Sequence, residues 1–221
     1  MIAQELINQM VPALKFTDTA EKAIIWMEEL KTNQLPVVES LSFKGFVYED
    51  SLLELSDLDR LIGEVQMQNQ NCFVFKGQHF FDILKMGHEH ASNMVAIIDN
   101  NEEYLGVTSL QDTVKAFSAT ASIQSHGSIM IISTRYIDYS LNEISRIVES
   151  NNAKIMSCFI SPDPQDSSKV LLTLKVNSTD TSSISVTLER NNYKIVARFH
   201  QEDRDLQSRD RIDNLLKFID I

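Results

Sequence analysis

The order of elements in this chain is clearest in residues 94–112, which read MVAIIDNNEEYLGVTSLQD. Met94–Ile98 is apolar throughout and rich in β-branched side chains, which is typical of a strand buried on both faces. A turn signal, Asp99-Asn100-Asn101, separates it from a second strand over Tyr104–Thr108. Ser109 then provides a natural N-cap for a helix. The stretch therefore predicts a strand–turn–strand–helix unit.

The same order of elements occurs earlier in the chain, so the sequence contains an internal repeat. Gly45 and Gly106 take the same place in the two copies and lie 61 positions apart. Each copy has an amphipathic helix ahead of its strands, with apolar residues at offsets of three and four. We assign the first copy to residues 1–60 and the second to residues 61–120. The remaining predicted elements are helices over Thr19–Leu30, Glu49–Leu55 and Phe80–His88, and strands over Leu35–Val38 and Phe43–Tyr48.

The rest of the chain has a different order of elements. Residues 118–125 are rich in Ser, Ala and Thr, which predicts a linker or domain boundary. Residues 127–203 predict the order β-α-β-β-α-β, the split βαβ or ferredoxin-like arrangement. Residues 204–221 alternate charged and apolar side chains, which predicts an amphipathic C-terminal helix. The predicted strands are Ser128–Thr134, Lys154–Ile160, Lys169–Val176 and Lys194–Phe199, with helices over Tyr139–Glu149 and Thr181–Arg190.

The composition excludes several classes of partner. The 221 residues carry 20 Lys and Arg against 31 Asp and Glu, which gives a formal charge of −11. This excess of negative charge repels a phosphate backbone and an anionic membrane surface, so we expect neither nucleic acid nor a membrane as a partner. The chain has no run of apolar residues long enough to span a membrane, and from residues 1–10 we expect no secretory signal. Only Cys72 and Cys158 are present, far apart, which argues against disulfides and fits a reducing cytoplasm.

The repeated unit resembles a tandem pair of CBS domains, the modules named after cystathionine β-synthase. The residues of the second copy that carry the resemblance are Ala96-Ile97-Ile98-Asp99 and Gly106-Val107-Thr108-Ser109-Leu110-Gln111-Asp112. The first copy matches with Pro36-Val37-Val38-Glu39 and Gly45-Phe46-Val47. It departs from the family pattern at Tyr48, where Thr or Ser is expected, and at Ser51, where Asp is expected. The resemblance covers about half of the chain.

Residues 127–203 look like an ACT domain, the amino-acid-sensing module of many metabolic regulators. The resemblance lies in the βαββαβ order and in Ile129-Met130-Ile131-Ile132 followed by Leu141-Asn142-Glu143-Ile144. Ligand-binding ACT domains carry a glycine in the turn after the first strand, whereas this chain has Arg135-Tyr136-Ile137-Asp138, so we expect no bound amino acid. Asp138 and Ser140 are both suitable helix caps, and we interpret Asp138 as the cap. The order CBS–CBS–ACT is similar in architecture to acetoin-utilisation regulatory proteins.

The resemblance to CBS pairs implies an adenosine-containing ligand in a cleft between the two copies. It makes Thr108, Ser109 and Asp112 the candidate binding residues. A carboxylate accepts hydrogen bonds from ribose hydroxyls, and a hydroxyl beside the free N–H groups of a helix start suits a phosphate. The alternative is that Ser109 and Asp112 only stabilise the helix start. In the first copy Tyr48 crowds the site and two acidic residues follow it, so no ligand is expected there.

The leading hypothesis is a cytoplasmic, bacterial regulatory α/β protein without a cofactor. Its CBS pair would sense AMP, ATP or S-adenosylmethionine and signal through the ACT-like domain. The alternative is a structural or dimerisation module whose ligand sites have decayed. Catalysis is not expected, because the sequence has no P-loop, dinucleotide-binding glycine motif or nucleophile elbow, and His88 and His90 have the wrong spacing for a metal pair on a helix. A homodimer is expected, since CBS pairs stack and ACT-like sheets pair.

Overall fold

The computed structural model of the chain describes residues 1–200. The chain divides into two compact units, Met1–Ser118 and Ala119–Ile221. The amphipathic helix predicted over residues 204–221 lies outside the described residues. Within the described part, no helix has both the length and the apolar character needed to cross a membrane.

The first unit contains the two copies of the repeat. In each copy a helix precedes an antiparallel pair of strands, and a second helix follows them. In the second copy a short third strand also pairs in parallel with the first strand of the antiparallel pair. In the first copy the equivalent contact is a single parallel bridge between Leu14 and Val37. The elements are α1 (Ala20–Leu30), β1 (Gln34–Glu39), β2 (Ser42–Tyr48), α2 (Glu49–Leu53), β3 (Phe73–Phe75), α3 (Phe80–Glu89), β4 (Met94–Ile98), β5 (Tyr104–Ser109) and α4 (Leu110–Ser118).

Side chains just before the long helices hold their first turns. At α1, Thr19 Oγ1 accepts a hydrogen bond from the Lys22 N–H at 3.3 Å. At α3, His79 and Asp82 form a capping box in which Asp82 Oδ2 accepts from the His79 N–H at 3.1 Å. These bonds satisfy N–H groups that a helix start otherwise leaves without a partner, so they determine where α1 and α3 begin.

Each copy of the repeat has its own apolar core. The core of the first copy joins Ala23 and Met27 of α1 to Val37 of β1. The core of the second copy joins Ile83 of α3 to the strand β4, which is buried along its whole length as its apolar run predicts. The helical and strand periodicities of the sequence therefore place the core correctly in both copies.

The two copies exchange the segments that precede them. The Ala3 N–H donates to the Gln78 carbonyl at 2.8 Å, so the first residues of the chain lie on the second copy. The Ala20 N–H donates to the Arg60 carbonyl at 2.9 Å, so the connection after α2 lies on the first copy. Ala3 accordingly belongs to the core of the second copy, and Ile62 belongs to that of the first. The repeat in the sequence does not reveal which copy each segment contacts.

The two repeated glycines meet these exchanged segments. Gly45 has a φ of +126° and Gly106 a φ of +157°, values that residues with a side chain rarely adopt. A Cβ at Gly45 would lie 2.7 Å from the Gln68 carbonyl oxygen, and one at Gly106 would lie 2.5 Å from Ile7 Cγ2. Glycine is needed at both positions because of the backbone conformation and because another segment lies so close.

The second unit has the βαββαβ order that the sequence predicts, preceded by a short helix. Its elements are α5 (Ala121–Gln124), β6 (Ser128–Arg135), α6 (Leu141–Ser150), β7 (Ile155–Pro162), β8 (Lys169–Val176), α7 (Ser182–Arg190) and β9 (Lys194–His200). The four strands form one antiparallel sheet in the order β7-β8-β6-β9. Alternate residues of β6, Met130 and Ile132, pack with Ile144 of α6 and Leu188 of α7, so both helices cover one face of the sheet.

The segment predicted as a linker or domain boundary contains the helix α5. Lys175 Nζ of β8 donates to the Ile123 carbonyl at 2.7 Å. Ser122 Oγ donates to the Met156 carbonyl of β7 at 3.0 Å. These bonds attach α5 to the sheet of its own unit, and they depend on partners distant in sequence, which is why the composition of residues 118–125 does not predict them.

Candidate functional site

The start of α4 brings together two of the residues predicted to bind a ligand. Ser109 Oγ accepts a hydrogen bond from the Asp112 N–H at 2.9 Å and donates one to Asp112 Oδ2 at 2.8 Å. Thr113 Oγ1 donates to the Ser109 carbonyl at 2.9 Å and supports the same turn. The spacing Ser-x-x-Asp predicts this pair, because the N-cap residue and the third helical residue face each other.

Asn8 is a further polar residue at this place, and the sequence did not single it out. Asn8 Nδ2 donates to Asp112 Oδ2 at 2.8 Å, although the two residues are 104 positions apart. The Asn8 N–H donates to the Val107 carbonyl at 2.8 Å, and Asn8 Oδ1 accepts from the Met10 N–H at 2.9 Å. The one sequence signal for Asn8 is Asn69, which lies 61 positions later, the same offset as between the repeated glycines.

These residues line a cleft of about 740 Å³ between the two copies of the repeat. Residues 30–33, at the end of α1, form one wall, and Asn93, Met94 and the first turns of α4 form the other. Among the described residues that line it, the charged ones are the cations Lys31 and Lys115 and the carboxylate Asp112. A hydrogen-bond-accepting carboxylate beside two ammonium groups suits a ligand that carries both hydroxyls and negative charge.

Thr108 does not line this cleft. Its side chain in β5 is 0% exposed, and its Oγ1 lies 3.5 Å from Thr113 Oγ1 inside the fold. Successive side chains of a strand point to opposite faces, so Thr108 and Ser109 cannot both face one cleft. Of the three predicted binding residues, the structure thus places Ser109 and Asp112 in the lining of this cleft and Thr108 outside it.

The corresponding place in the first copy is occupied by a tyrosine. Asn69 Nδ2 donates to the Tyr48 hydroxyl at 2.6 Å and to the His90 carbonyl at 3.1 Å, so these groups form a bridge. Ser51, which stands where the second copy has Asp112, accepts from Gln68 Nε2 at 3.2 Å. The first copy thus presents no carboxylate at the position that Asp112 takes in the second.

The turn after β6 differs from its predicted geometry. We expected Asp138 to cap α6, and this is wrong, because Ser140 Oγ accepts from the Glu143 N–H at 3.3 Å. Ser140 directly precedes the helix, whereas Asp138 lies in a short 3-10 turn and accepts from Arg135 Nε at 2.5 Å. The turn contains no glycine, and its Ile137 side chain is 81% exposed.

Histidine and cysteine side chains form no group able to hold a metal ion within the described residues. His88 lies in the last turn of α3 and His90 follows as its C-cap. Burial raises the pKa of the Cys72 thiol to about 11, and burial also raises the pKa of Cys158. Both thiols are therefore protonated at neutral pH, which is their less nucleophilic form.

No protein-family model matches this chain, but several solved structures are similar to part of it. A CBS domain pair/ACT domain protein from Thermotoga maritima is 24% identical, over 53% of this chain and 96% of that chain, with a TM-score of 0.48. The protein CBSX2 in complex with AMP is 18% identical, over 52% of this chain and 95% of that chain, with a TM-score of 0.44.

A third similar structure is the CBS domain of a bacterial CNNM/CorC family Mg²⁺ transporter in complex with ATP. It is 21% identical, over 51% of this chain and 83% of that chain, with a TM-score of 0.42. In all three cases the similarity extends over about half of this chain.

Proposed function

We propose that this chain is a regulatory protein whose first unit acts as a CBS pair and binds an adenosine-containing ligand at the start of α4. The observation that supports this most is the cleft in which Ser109 and Asn8 orient the Asp112 carboxylate. Lys31 and Lys115 line the same cleft. The ligands to test are AMP, ATP and S-adenosylmethionine. The proposal includes no cofactor and no catalytic step.

Asp112 is the residue proposed to bind the ribose. Its Oδ2 accepts hydrogen bonds from Ser109 and Asn8, and its Oδ1 has no hydrogen-bond partner among residues 1–200. An acidic side chain with one oxygen held and the other available can accept a hydrogen bond from a ribose hydroxyl. Such bonds to an ionised acceptor are stronger than those between neutral groups.

The phosphates of the ligand are proposed to lie near the two lysines. Lys115 follows Asp112 by three positions on α4, so the two side chains share one face of the helix. Lys31 reaches the cleft from the opposite wall, where it ends α1 in a left-handed conformation. The start of α4 adds the partial positive charge of a helix N-terminus. Ser109, at this helix start, is the hydroxyl proposed to contact a phosphate.

The second unit is proposed to be a ferredoxin-like, ACT-type domain that transmits the effect of the ligand. Its βαββαβ order and its sheet order β7-β8-β6-β9 support this assignment. The absence of glycine in the turn after β6 supports a domain that binds no free amino acid. A ligand shifts the equilibrium between two conformations of a protein only to the extent that it binds one of them more tightly than the other. The protein is also proposed to be cytoplasmic and to form a homodimer.

A second candidate function is a structural or dimerisation module without a ligand. It is favoured by the first copy of the repeat, where Tyr48 and Asn69 bridge the position of a ligand site. One of the two equivalent sites therefore lacks the residues that suit a nucleotide. A chain in which both sites have decayed would keep only its surfaces for assembly.

Titration calorimetry on the full chain distinguishes the two functions. We expect binding of at least one of the three ligands, and we expect Asp112→Ala to weaken it by about 10- to 150-fold, because a hydrogen bond to a charged group contributes about 1.5–3 kcal/mol. The matched control is Ser51→Ala, the same position in the first copy, which should leave the affinity unchanged.

Thermal unfolding of both variants without ligand establishes that they are folded. Equal affinity of Asp112→Ala and the wild type would contradict the assignment of the cleft. If the wild type binds none of the three ligands, the dimerisation module becomes the better description.

A further inference from the structure

The geometry points to Asn8 as a positioning residue that gives the α4 cleft its preference for ribose over deoxyribose, an inference that rests on the proposed nucleotide function. Asn8 belongs to the first residues of the chain, which lie on the second copy of the repeat. Its Nδ2 donates to Asp112 Oδ2 at 2.8 Å. Its N–H and its Oδ1 are bonded to Val107 and Met10, at 2.8 and 2.9 Å. Both polar atoms of the side-chain amide and the backbone N–H are thus bonded, so the amide presents its donor in one direction.

The Asp112 carboxylate needs a second donor to have one orientation. The torsion that rotates a carboxylate about its Cβ–Cγ bond has a broad distribution, so one hydrogen bond leaves the plane of the group poorly determined. Ser109 Oγ and Asn8 Nδ2 both donate to Oδ2, each at 2.8 Å, and they come from different elements of the fold. Together they determine the plane and therefore the position of Oδ1.

A fixed Oδ1 can distinguish the two sugars. Ribose and 2′-deoxyribose differ by one hydroxyl, and a site built to accept a hydrogen bond from that hydroxyl binds its analogue less tightly. A carboxylate that is free to rotate can instead turn toward the 3′-hydroxyl, which both sugars have. Loss of the Asn8 donor should therefore weaken binding of the ribose form more than binding of the deoxyribose form. The preference for ribose should fall as a result.

The repeat provides a matched control for this role. Asn69 takes the place of Asn8 in the first copy, and its Nδ2 donates to the Tyr48 hydroxyl at 2.6 Å. Asn69→Ala thus removes two hydrogen bonds at the equivalent position of the fold, to the Tyr48 hydroxyl and the His90 carbonyl, without affecting Asp112. If weakening the contacts of an exchanged segment is enough to change nucleotide binding, Asn69→Ala should change it as well.

The experiment compares the dissociation constants of ATP and 2′-deoxyATP by titration calorimetry on the full chain. We expect the wild type and Asn69→Ala to prefer ATP by about tenfold, and Asn8→Ala and Asn8→Asp to prefer it by less than about threefold. Asn8→Asp keeps an acceptor for the Met10 N–H but replaces the donor with a second carboxylate that repels Asp112, so for this variant the ratio of the two dissociation constants is the readout and not either affinity alone. Thermal unfolding without ligand establishes that all three variants are folded.

The outcomes separate this role from the proposed function. A preference for ATP that stays at the wild-type ratio in both Asn8 variants would overturn the role of Asn8, even if both affinities fall, because a purely structural role weakens both nucleotides alike. A wild type that binds the two nucleotides equally would overturn it too. A wild type that binds neither would overturn the proposed function, and this inference with it.

Discussion

The helix that closes each copy of the repeat begins with different residues in the two copies. Asp112 and Lys115 of α4 correspond to Ser51 and Glu54, 61 positions earlier. The second copy therefore presents a carboxylate and a cation where the first copy presents a hydroxyl and an acid. Both copies have a helix at this point, so under the proposed function these two positions determine which copy suits an anionic ligand.

Reversing the charge of Lys115 tests this difference at the level of one residue. Lys115 lines the cleft, and a glutamate there reproduces the residue of the first copy. We expect Lys115→Glu to weaken ATP binding by about tenfold and AMP binding by less, because the new charge repels the longer phosphate chain more strongly. Titration calorimetry at two salt concentrations should show the difference shrinking as salt screens it.

Lys85→Glu is the matched control for charge. Lys85 lies on α3 with its side chain 72% exposed, and it does not line the cleft. Both variants change the net charge of the chain equally, so a long-range effect of charge would weaken binding in both. An equal loss of ATP affinity in the two variants would contradict a local role for Lys115.

Single residues were predictable only where their partners are close in sequence. Ser109 and Asp112 are three positions apart, and their hydrogen bonds follow from the spacing. Asn8 was missed because its bond to Asp112 exists only in the folded chain. The position of Thr108 outside the cleft was not predictable, because the pattern of residues does not state which face of β5 it takes, and the choice of Asp138 over Ser140 failed because both are suitable caps.

At the scale of elements, the repeated glycine of β2 lies directly against the backbone of an exchanged segment. Gly45 has a positive φ, and a Cβ there would lie 2.7 Å from the backbone carbonyl of Gln68. We expect Gly45→Ala to lower the free energy of unfolding by about 2–3 kcal/mol, because the strained conformation and the close backbone both oppose a side chain. Urea unfolding of the full chain measures the change.

Gly77→Ala is the control for this substitution. A Cβ at Gly77 meets no atom within 4 Å, so we expect a change of less than about 0.5 kcal/mol. A Gly45→Ala variant as stable as Gly77→Ala would show that the segment after α2 can move away without cost.

Most elements were predictable from periodicity, and the exceptions have physical reasons. β4 and α3 have long apolar patterns, and their observed ranges lie within two residues of the prediction. β3 and α5 have three and four residues, too few for a period to be recognised. The exchange of segments between the copies was not predictable, because equivalent sequences can contact either copy.

At the scale of the whole molecule, the second unit has an apolar surface on the side of its sheet away from α6 and α7. Met130 and Ile132 of β6 belong to the core, so Ile129 and Ile131 lie on the opposite face. Phe199 of β9 is paired with Ile129 and is 55% exposed. Lys175 of β8 pairs with Ile129 and attaches α5 on this same face, so the part that remains exposed is the part around Phe199. An exposed apolar surface of this kind indicates an interaction surface.

We propose that a second copy of the chain covers this face. Closed two-fold dimers are the commonest oligomers, and an apolar surface that pairs with itself needs no partner of opposite charge. We expect light scattering at micromolar concentration to give about 50 kDa, twice the chain mass of 25.2 kDa. Phe199→Glu should raise the dissociation constant of the dimer by about 100-fold, because a buried carboxylate without a partner is costly.

The control for the dimer is Tyr136→Glu. Tyr136 is 69% exposed and lies in the turn after β6, away from the centre of the sheet face, so it adds the same charge without entering the apolar surface. A chain with a net charge of −11 repels its own copies, and one further charge at Tyr136 adds little to that repulsion. The dimer should therefore survive Tyr136→Glu and dissociate in Phe199→Glu. A wild type of about 25 kDa, or equal dimerisation of the two variants, would show that this face is not the interface.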